Sequence, residues 1–306
     1  MLIRRIIEED YPQATEIHNA QNEPHFQTKP EFLQRSDEIM RRAVPQYRRY
    51  VAEKGEEVIA TGYITPTWAG TTVPGRVWMS IFTRSDYRNT GVDTALLEHA
   101  LTHAELSVQE VWSCVREDFV PMSGYLDGFA EQFRSFGSEL HLSTFDAAQF
   151  TPLTKRLEAE GIFLKRYADL SSDPNRDEKL LSLHAETEAD APYLEPIVPQ
   201  RHPDIHDDID QSSVFVAVKN GEYVGYVGLE VDDKPHKNIG FIGVLRPYRN
   251  RGIATALGAG VTALTKTQGY TELGTGGAKE NAALQRVLRK LGFEIEPDWV
   301  TFSKAL

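Results

Sequence analysis

Short apolar runs and amphipathic stretches alternate along the chain, and their order predicts an α+β protein. Strand-like apolar runs occupy five places in the first half, at residues 2–7, 49–53, 58–65, 77–83 and 110–115. A stretch with helical spacing separates the last two runs. A helical connection of this kind joins parallel strands, whereas hairpins join antiparallel ones. We therefore expect a mixed, mostly antiparallel sheet flanked by helices.

A stripe of aromatic residues follows these runs. Phe129, Phe133 and Phe136 have the spacing of one helix face, which would place the three rings in the core. Gly137 comes directly afterwards, and glycine is common just past the end of a helix. The pattern predicts a helix that ends at Gly137.

The order of elements repeats in the second half of the chain. Residues 86–96 and 247–257 match at seven of eleven positions, at an offset of 161 residues. A repeat of this length is far longer than a solenoid unit, so it predicts two copies of one domain. We expect an N-terminal domain at residues 1–150 and a C-terminal domain at residues 151–306.

The second copy contains a strand-like run, a short basic loop and the start of a helix between residues 239 and 257. The first turn of a helix offers unpaired backbone N–H groups and a partial positive charge. Gly252 and Ala254 are small enough for an anion to approach the backbone, and Arg249 and Arg251 lie close to them. This combination is suited to binding a pyrophosphate group.

The loop resembles the acyl-CoA loop of the GNAT acyltransferase superfamily, which is written Arg/Gln-x-x-Gly-x-Gly/Ala. Arg249, Gly252 and Ala254 meet this pattern in full. The superfamily's next element is an asparagine that opens a helix ending in Leu-Gly-Phe, and here Asn281 precedes a helical stretch that ends at residues 291–293. Two copies in one chain resemble the tandem GNAT proteins, a group that includes mycothiol synthase.

The resemblance implies an N-acetyltransferase that moves an acetyl group from acetyl-CoA to a primary amine of a small molecule or a peptide. Its active site would lie in the C-terminal domain, where a backbone N–H near Val244 would stabilise the carbonyl oxygen. The residues implied to bind acetyl-CoA are Val244, Arg249, Asn250, Arg251, Gly252, Ile253, Ala254, Thr255 and Asn281. No metal is implied.

Two departures from the superfamily pattern change these expectations. In the first copy Asp93 stands where the second has Ala254, and a carboxylate facing the pyrophosphate would repel it. We therefore expect the first copy to bind CoA poorly or not at all. In the second copy Leu288 stands where many members carry a tyrosine that protonates the leaving thiolate. A non-catalytic CoA-binding sensor or regulatory module is therefore the alternative function.

Acyl transfer also needs a base, because an alkylammonium group with a pKa of about 10 is not a nucleophile at neutral pH. The candidate bases in the second copy are Glu195, His202, His206 and Glu230. Among them we name Glu230, at the end of a strand-like run, as the candidate base. The sequence does not identify the acceptor.

Composition and charge narrow the partners. The formal net charge of −12 disfavours nucleic acid, which recruits basic surfaces. The single cysteine, Cys114, excludes an intrachain disulfide. No apolar run approaches the roughly 20 residues of a membrane span, and the first apolar segment is too short for a signal peptide. We therefore expect a cytoplasmic protein, monomeric or homodimeric, that contacts neither nucleic acid nor membrane.

Overall fold

The fold is given by a computed structural model, which describes residues 1–21, 27–68, 71–192, 209–231 and 237–306. Its strands, in chain order, are β1 (Leu2–Arg5), β2 (Arg48–Lys54), β3 (Glu57–Thr65), β4 (Thr67–Trp68), β5 (Thr71–Thr72), β6 (Arg76–Thr83), β7 (Glu110–Arg116), β8 (Ala130–His141), β9 (Ile162–Arg166), β10 (Ile209–Lys219), β11 (Glu222–Glu230), β12 (Lys237–Val244), β13 (Glu272–Ala278), β14 (Glu294–Ile295) and β15 (Trp299–Ala305). Its α-helices are α1 (Tyr11–Asn19), α2 (Pro30–Ala43), α3 (Val92–Thr102), α4 (Thr151–Ala159), α5 (Arg176–Glu188), α6 (Ile253–Thr267) and α7 (Ala282–Leu291).

Residue contacts divide the described chain into two compact units. Unit 1 comprises Met1–Arg134 and Pro297–Leu306, and unit 2 comprises the described residues from Ser135 to Glu296. The strand order is β1-β2-β3-β6-β7-β15 in unit 1 and β8-β13-β12-β11-β10-β9 in unit 2. The last strand of the chain thus completes the sheet of unit 1, and most of β8 belongs to unit 2. The division of the two repeats at residue 150 stays a prediction.

In each unit an antiparallel meander leads into one parallel pair of strands. Neighbouring strands are antiparallel from β1 through β3 to β6 in unit 1, and from β9 to β12 in unit 2. Parallel pairing joins β6 to β7 and β12 to β13, which α3 and α6 connect. The mixed, mostly antiparallel sheet predicted from the sequence is therefore confirmed.

Alternate residues of the sheet in unit 2 enter two different apolar cores, as the two-residue period of a strand requires. Ala217 of β10 belongs to the core that contains Leu257 of α6 and Leu288 of α7. Val216 belongs to a second core, which contains Leu183 of α5. The sheet therefore lies between α6 and α7 on one face and α5 on the other.

The helix predicted across Phe129, Phe133 and Phe136 is wrong, because this segment forms strand β8. The strand pairs antiparallel with β13 over seven positions, from Ser135 to His141. Burial alternates along its second half, where Phe136 and Leu140 enter the core. Pairing with β13 supplies backbone hydrogen bonds that the local aromatic spacing does not reveal.

Candidate active site

The parallel strands β12 and β13 separate soon after they begin to pair. The recorded pairing ends at Asn238 and Gly274, beyond which the strands diverge. Directly beyond the last paired residues, the hydroxyl of Thr275 still joins the two strands by donating a hydrogen bond of 3.0 Å to the carbonyl of Ile239. The divergence opens a cleft of about 670 Å³ within unit 2.

Strand β12 presents backbone N–H groups to this cleft. Leu245, directly after the strand, donates its N–H to the carbonyl of Val224 in β11 over 3.0 Å. Because successive N–H groups of a strand point to opposite sides, those of Ile242 and Val244 point away from β11 and toward the cleft. Val244 is the position at which the sequence predicts a free N–H.

The start of helix α6 forms one wall of the cleft. Gly252 precedes the helix with a φ of 87°, and Asn250 has a φ of 63°. A Cβ atom on Gly252 would lie 2.8 Å from Cδ1 of Leu153, so both the conformation and the space favour glycine. The N–H groups of the first turn have no partner within the helix, and Gly252, Ile253 and Ala254 line the cleft. This end of α6 has the backbone geometry and the dipole that suit an anion.

The arginine side chains of the loop are engaged by carboxylates. Arg249 donates from Nη2 to Asp190 over 2.7 Å, and Arg246 donates from Nε to the same carboxylate over 2.7 Å. Hydrogen bonds from these arginines, led by Arg246, lower the pKa of Asp190 to about 2. Arg251 lies 3.7 Å from Glu160. Because Arg246 and Arg249 share one carboxylate, this wall of the cleft keeps a net positive charge, to which the α6 backbone adds the partial charge of its first turn.

Helix α7 forms the opposite wall and adds two cations that sequence reasoning missed. Asn281 caps the helix, since its side-chain oxygen accepts a hydrogen bond of 3.0 Å from the N–H of Leu284. Arg286 and Lys290 are exposed and line the cleft one helical turn apart. The sequence did contain a signal for this pair, because residues four apart lie on the same side of a helix, here the side opposite the apolar face.

Helix α7 presents no hydroxyl group to the cleft. Leu288 is 1% exposed and belongs to the apolar core. The residues of this fully described helix and its cap that line the cleft are Asn281, Ala283, Leu284, Arg286, Val287 and Lys290, none of which carries a hydroxyl. The position that many superfamily members give to tyrosine thus contributes packing only.

The candidate base Glu230 is hydrogen-bonded within the sheet. Its Oε2 accepts from the side-chain amide of Asn238 over 3.2 Å. Glu230 is not among the described residues that line the cleft. The other candidates, Glu195, His202 and His206, lie outside the described residues. The assignment of Glu230 as the base stays a prediction.

Unit 1 repeats the loop conformation found in unit 2. Asn89 and Gly91 have φ values of 58° and 82°, matching the positions 161 residues later. Arg88 donates from Nε to the carbonyl of Thr83 over 3.4 Å, and Arg249 makes the same contact with Val244 over 2.9 Å. The backbone of the anion loop is therefore present in both units.

The side chains around that loop differ, because Tyr125 fills the space between β6 and β7. Its hydroxyl lies 2.8 Å from that of Ser113, and its oxygen also accepts from the backbone N–H of Ile81. Ile81 corresponds to Ile242, whose N–H faces the cleft of unit 2. Tyr125 is 3% exposed, and burial raises its pKa. In unit 1 the hydroxyl of Tyr125 thus accepts a hydrogen bond from the N–H of Ile81. In unit 2 the corresponding N–H, that of Ile242, faces the cleft.

Asp93 holds this arrangement in place. Its carboxylate accepts 2.9 Å hydrogen bonds from the backbone N–H groups of Tyr125 and Thr94, and the residue is 4% exposed. The expectation that Asp93 faces a bound pyrophosphate is therefore wrong. The carboxylate turns into the protein because it accepts from the buried N–H of Tyr125 and from an N–H in the first turn of α3, that of Thr94.

The chain belongs to the acetyltransferase (GNAT) family, whose model matches residues 11–123 and 180–293. One match falls in each half, so the prediction of two GNAT domains in tandem is confirmed, and the protein is a GNAT-family acetyltransferase. A comparison with curated proteins finds no match. No helix within the described residues is long and apolar enough to cross a membrane.

Several solved structures share the fold along nearly the whole chain. A GCN5-related N-acetyltransferase from Sphaerobacter thermophilus is 17% identical with a TM-score of 0.69, over 99% of this chain and 95% of that one. A tandem GNAT protein from the clavulanic acid biosynthesis pathway is 13% identical with a TM-score of 0.61, over 99% and 98%. A GCN5-related glucosamine N-acetyltransferase region of a fungal multi-domain β-N-acetylglucosaminidase is 14% identical with a TM-score of 0.66, over 99% of this chain and 38% of that one.

Proposed function

We propose that unit 2 transfers the acetyl group of acetyl-CoA to a primary amine of a small molecule or a peptide. The observation that carries this proposal is the difference between the two units. Both have the anion loop, but the space between the diverging strands is an open cleft in unit 2 and is filled by Tyr125 in unit 1. Unit 1 would then support or shape the protein without binding CoA.

The walls of the cleft suit the parts of acetyl-CoA. The N–H groups at the start of α6 would hold the pyrophosphate, while Arg286 and Lys290 would add charge from α7. The strands diverge at β12, where unpaired backbone groups would bond to the amides of the pantetheine arm as a further strand does. Asn281 has its oxygen in the helix cap, so its side-chain N–H groups would be available to the same arm.

The reacting carbonyl would lie against β12. The N–H groups of Ile242 and Val244 would stabilise the oxygen as negative charge develops, which mutagenesis elsewhere values at about 3 kcal/mol per donor. The leaving thiolate needs little help, because a thiol has a pKa of about 8.5 and an amine about 10. Leu288 is therefore compatible with turnover, and the proton of the amine is the harder one to move.

The proposal is tested by incubating the protein with acetyl-CoA and a panel of amines while measuring released CoA. The panel includes glucosamine, because the fungal region named above acetylates that sugar amine. We expect CoA to be released in the presence of at least one amine. The mass of that amine should rise by about 42 Da, because an acetyl group replaces one hydrogen. Binding of acetyl-CoA without turnover across the panel would favour the sensor, and absence of binding would contradict both functions.

A further inference from the structure

A polar cluster of three side chains lies beside the cleft and has no part in the cofactor site described above. It consists of His184 and Glu188 on α5 and Tyr226 on β11. Nδ1 of His184 is 2.5 Å from the hydroxyl of Tyr226, and Nε2 is 3.8 Å from the carboxylate of Glu188. Tyr226 is 0% and His184 8% exposed. A carboxylate, an imidazole and a hydroxyl thus follow one another in space, an arrangement that enzymes use to transfer a proton.

The cluster adjoins the cleft through Phe241 of β12. The rings of His184 and Tyr226 both pack on Phe241, with centroids 5.1 and 5.3 Å away. Phe241 lines the cleft, as does Thr187, which is adjacent to Glu188 in α5. These contacts place the cluster on the α5 face of the sheet, opposite α6 and α7. An amine that attacks a thioester held from the α6 side must approach from this other face.

We propose that the cluster accepts the proton that the acceptor amine loses, an inference that rests on the proposed function. Through a bridging water, the amine's proton passes to the hydroxyl oxygen of Tyr226, whose own proton moves to Nδ1 of His184. The imidazolium is balanced by the carboxylate of Glu188. The neutral amine then forms the C–N bond, the C–S bond breaks with its electron pair on sulfur, and the thiolate takes the second proton of the nitrogen. His184 later releases the first proton to solvent.

The electrostatics of the cluster fit this direction of transfer. Burial, followed by the negative charge of Glu188, raises the pKa of Tyr226, so the hydroxyl is protonated at neutral pH and can share a hydrogen bond with the imidazole. The groups that face the imidazole from the described elements are Glu188 on α5, Tyr226 on β11 and the uncharged ring of Phe241 on β12. Glu230 has its carboxylate bonded to Asn238. Like Glu230, the members of the cluster are not among the described residues that line the cleft, which they adjoin through Phe241. The cluster differs from Glu230 in holding an imidazole, the side chain whose ordinary pKa lies near neutral pH.

The test compares His184→Asn and Tyr226→Phe with Glu230→Gln in steady-state kinetics across pH. We expect the first two to lower kcat by about 100-fold or more with little change in the KM for acetyl-CoA, and to remove the fall in kcat at acidic pH. A matched control is His18→Asn in unit 1, where a histidine also packs on an aromatic ring, that of Phe82, at 4.7 Å. The proposal would be overturned if Glu230→Gln removed the fall in kcat at acidic pH while His184→Asn retained that fall.

An NMR titration of the His184 ring makes the test independent of turnover. The ring signals must shift with pH between about pH 5 and pH 9, and the midpoint must move in Tyr226→Phe. Signals that stay constant over that range would overturn the relay even in an active enzyme. Failure of the proposed function is recognised separately, by the absence of CoA release from the wild-type protein with every amine.

Discussion

Replacing Ala254 with aspartate should weaken the binding of acetyl-CoA to unit 2. Ala254 is the second residue of α6 and lines the cleft, so the new carboxylate would lie beside the proposed pyrophosphate site. Two unit charges about 5 Å apart repel by about 0.8 kcal/mol in water and by about 3.3 kcal/mol at an effective dielectric of 20. For the two charges of a pyrophosphate the loss is between about 1.7 and 6.6 kcal/mol, or at least a 15-fold weaker Kd.

The assay is isothermal titration calorimetry with acetyl-CoA, and Ala254→Asn is the matched control. Asparagine has nearly the same shape as aspartate but no charge, so the difference between the two variants isolates the repulsion. We expect the asparagine variant to bind more tightly than the aspartate variant by at least the factor given above, and added salt to narrow the gap. Equal affinities for the two variants would refute the placement of the pyrophosphate beside Ala254.

Three further predictions follow from the same structure. Arg286→Ala should weaken acetyl-CoA binding several-fold in calorimetry, and the loss should be larger at low salt. Arg289→Ala on the same helix is the control and should not weaken binding, because Arg289 does not line the cleft. Asp37→Ala should destabilise unit 1 by about 3 to 5 kcal/mol in chemical denaturation, since it leaves the buried Arg49, 2.7 Å away, without its carboxylate; an unchanged midpoint would contradict this. Burial raises the pKa of Cys114 to about 11, so about one thousandth of the Cys114 side chains are thiolate at pH 8. A thiol reagent should therefore label the native protein far more slowly than the denatured protein.

The anion loop could be predicted from the sequence because its determinants are local. Gly252 is required by its own backbone angle and by the nearness of Leu153, and Asn281 acts as a cap within one turn of helix. Short motifs of this kind carry their geometry with them. The parallel crossing between β12 and β13 followed for the same reason, from one strand–helix–strand segment.

What the sequence did not predict depends on contacts between distant residues. Tyr125 lies between β6 and β7 in unit 1, and Asp93, 32 residues earlier, accepts its backbone N–H. The pairing of His184 with Tyr226 joins residues 42 apart. Strand β8 has helical aromatic spacing, and its pairing with β13 decides its conformation. The local pattern was consistent with other structures at each of these places.

The measurement that tests the central claim most directly is a crystal structure of the protein grown with acetyl-CoA. We predict one molecule of acetyl-CoA per chain, with the pyrophosphate at the N–H groups of residues 251–254 and the thioester between β12 and β13. Unit 1 should show Tyr125 in place between β6 and β7. A pyrophosphate bound at residues 89–93, or acetyl-CoA outside the cleft of unit 2, would contradict this account.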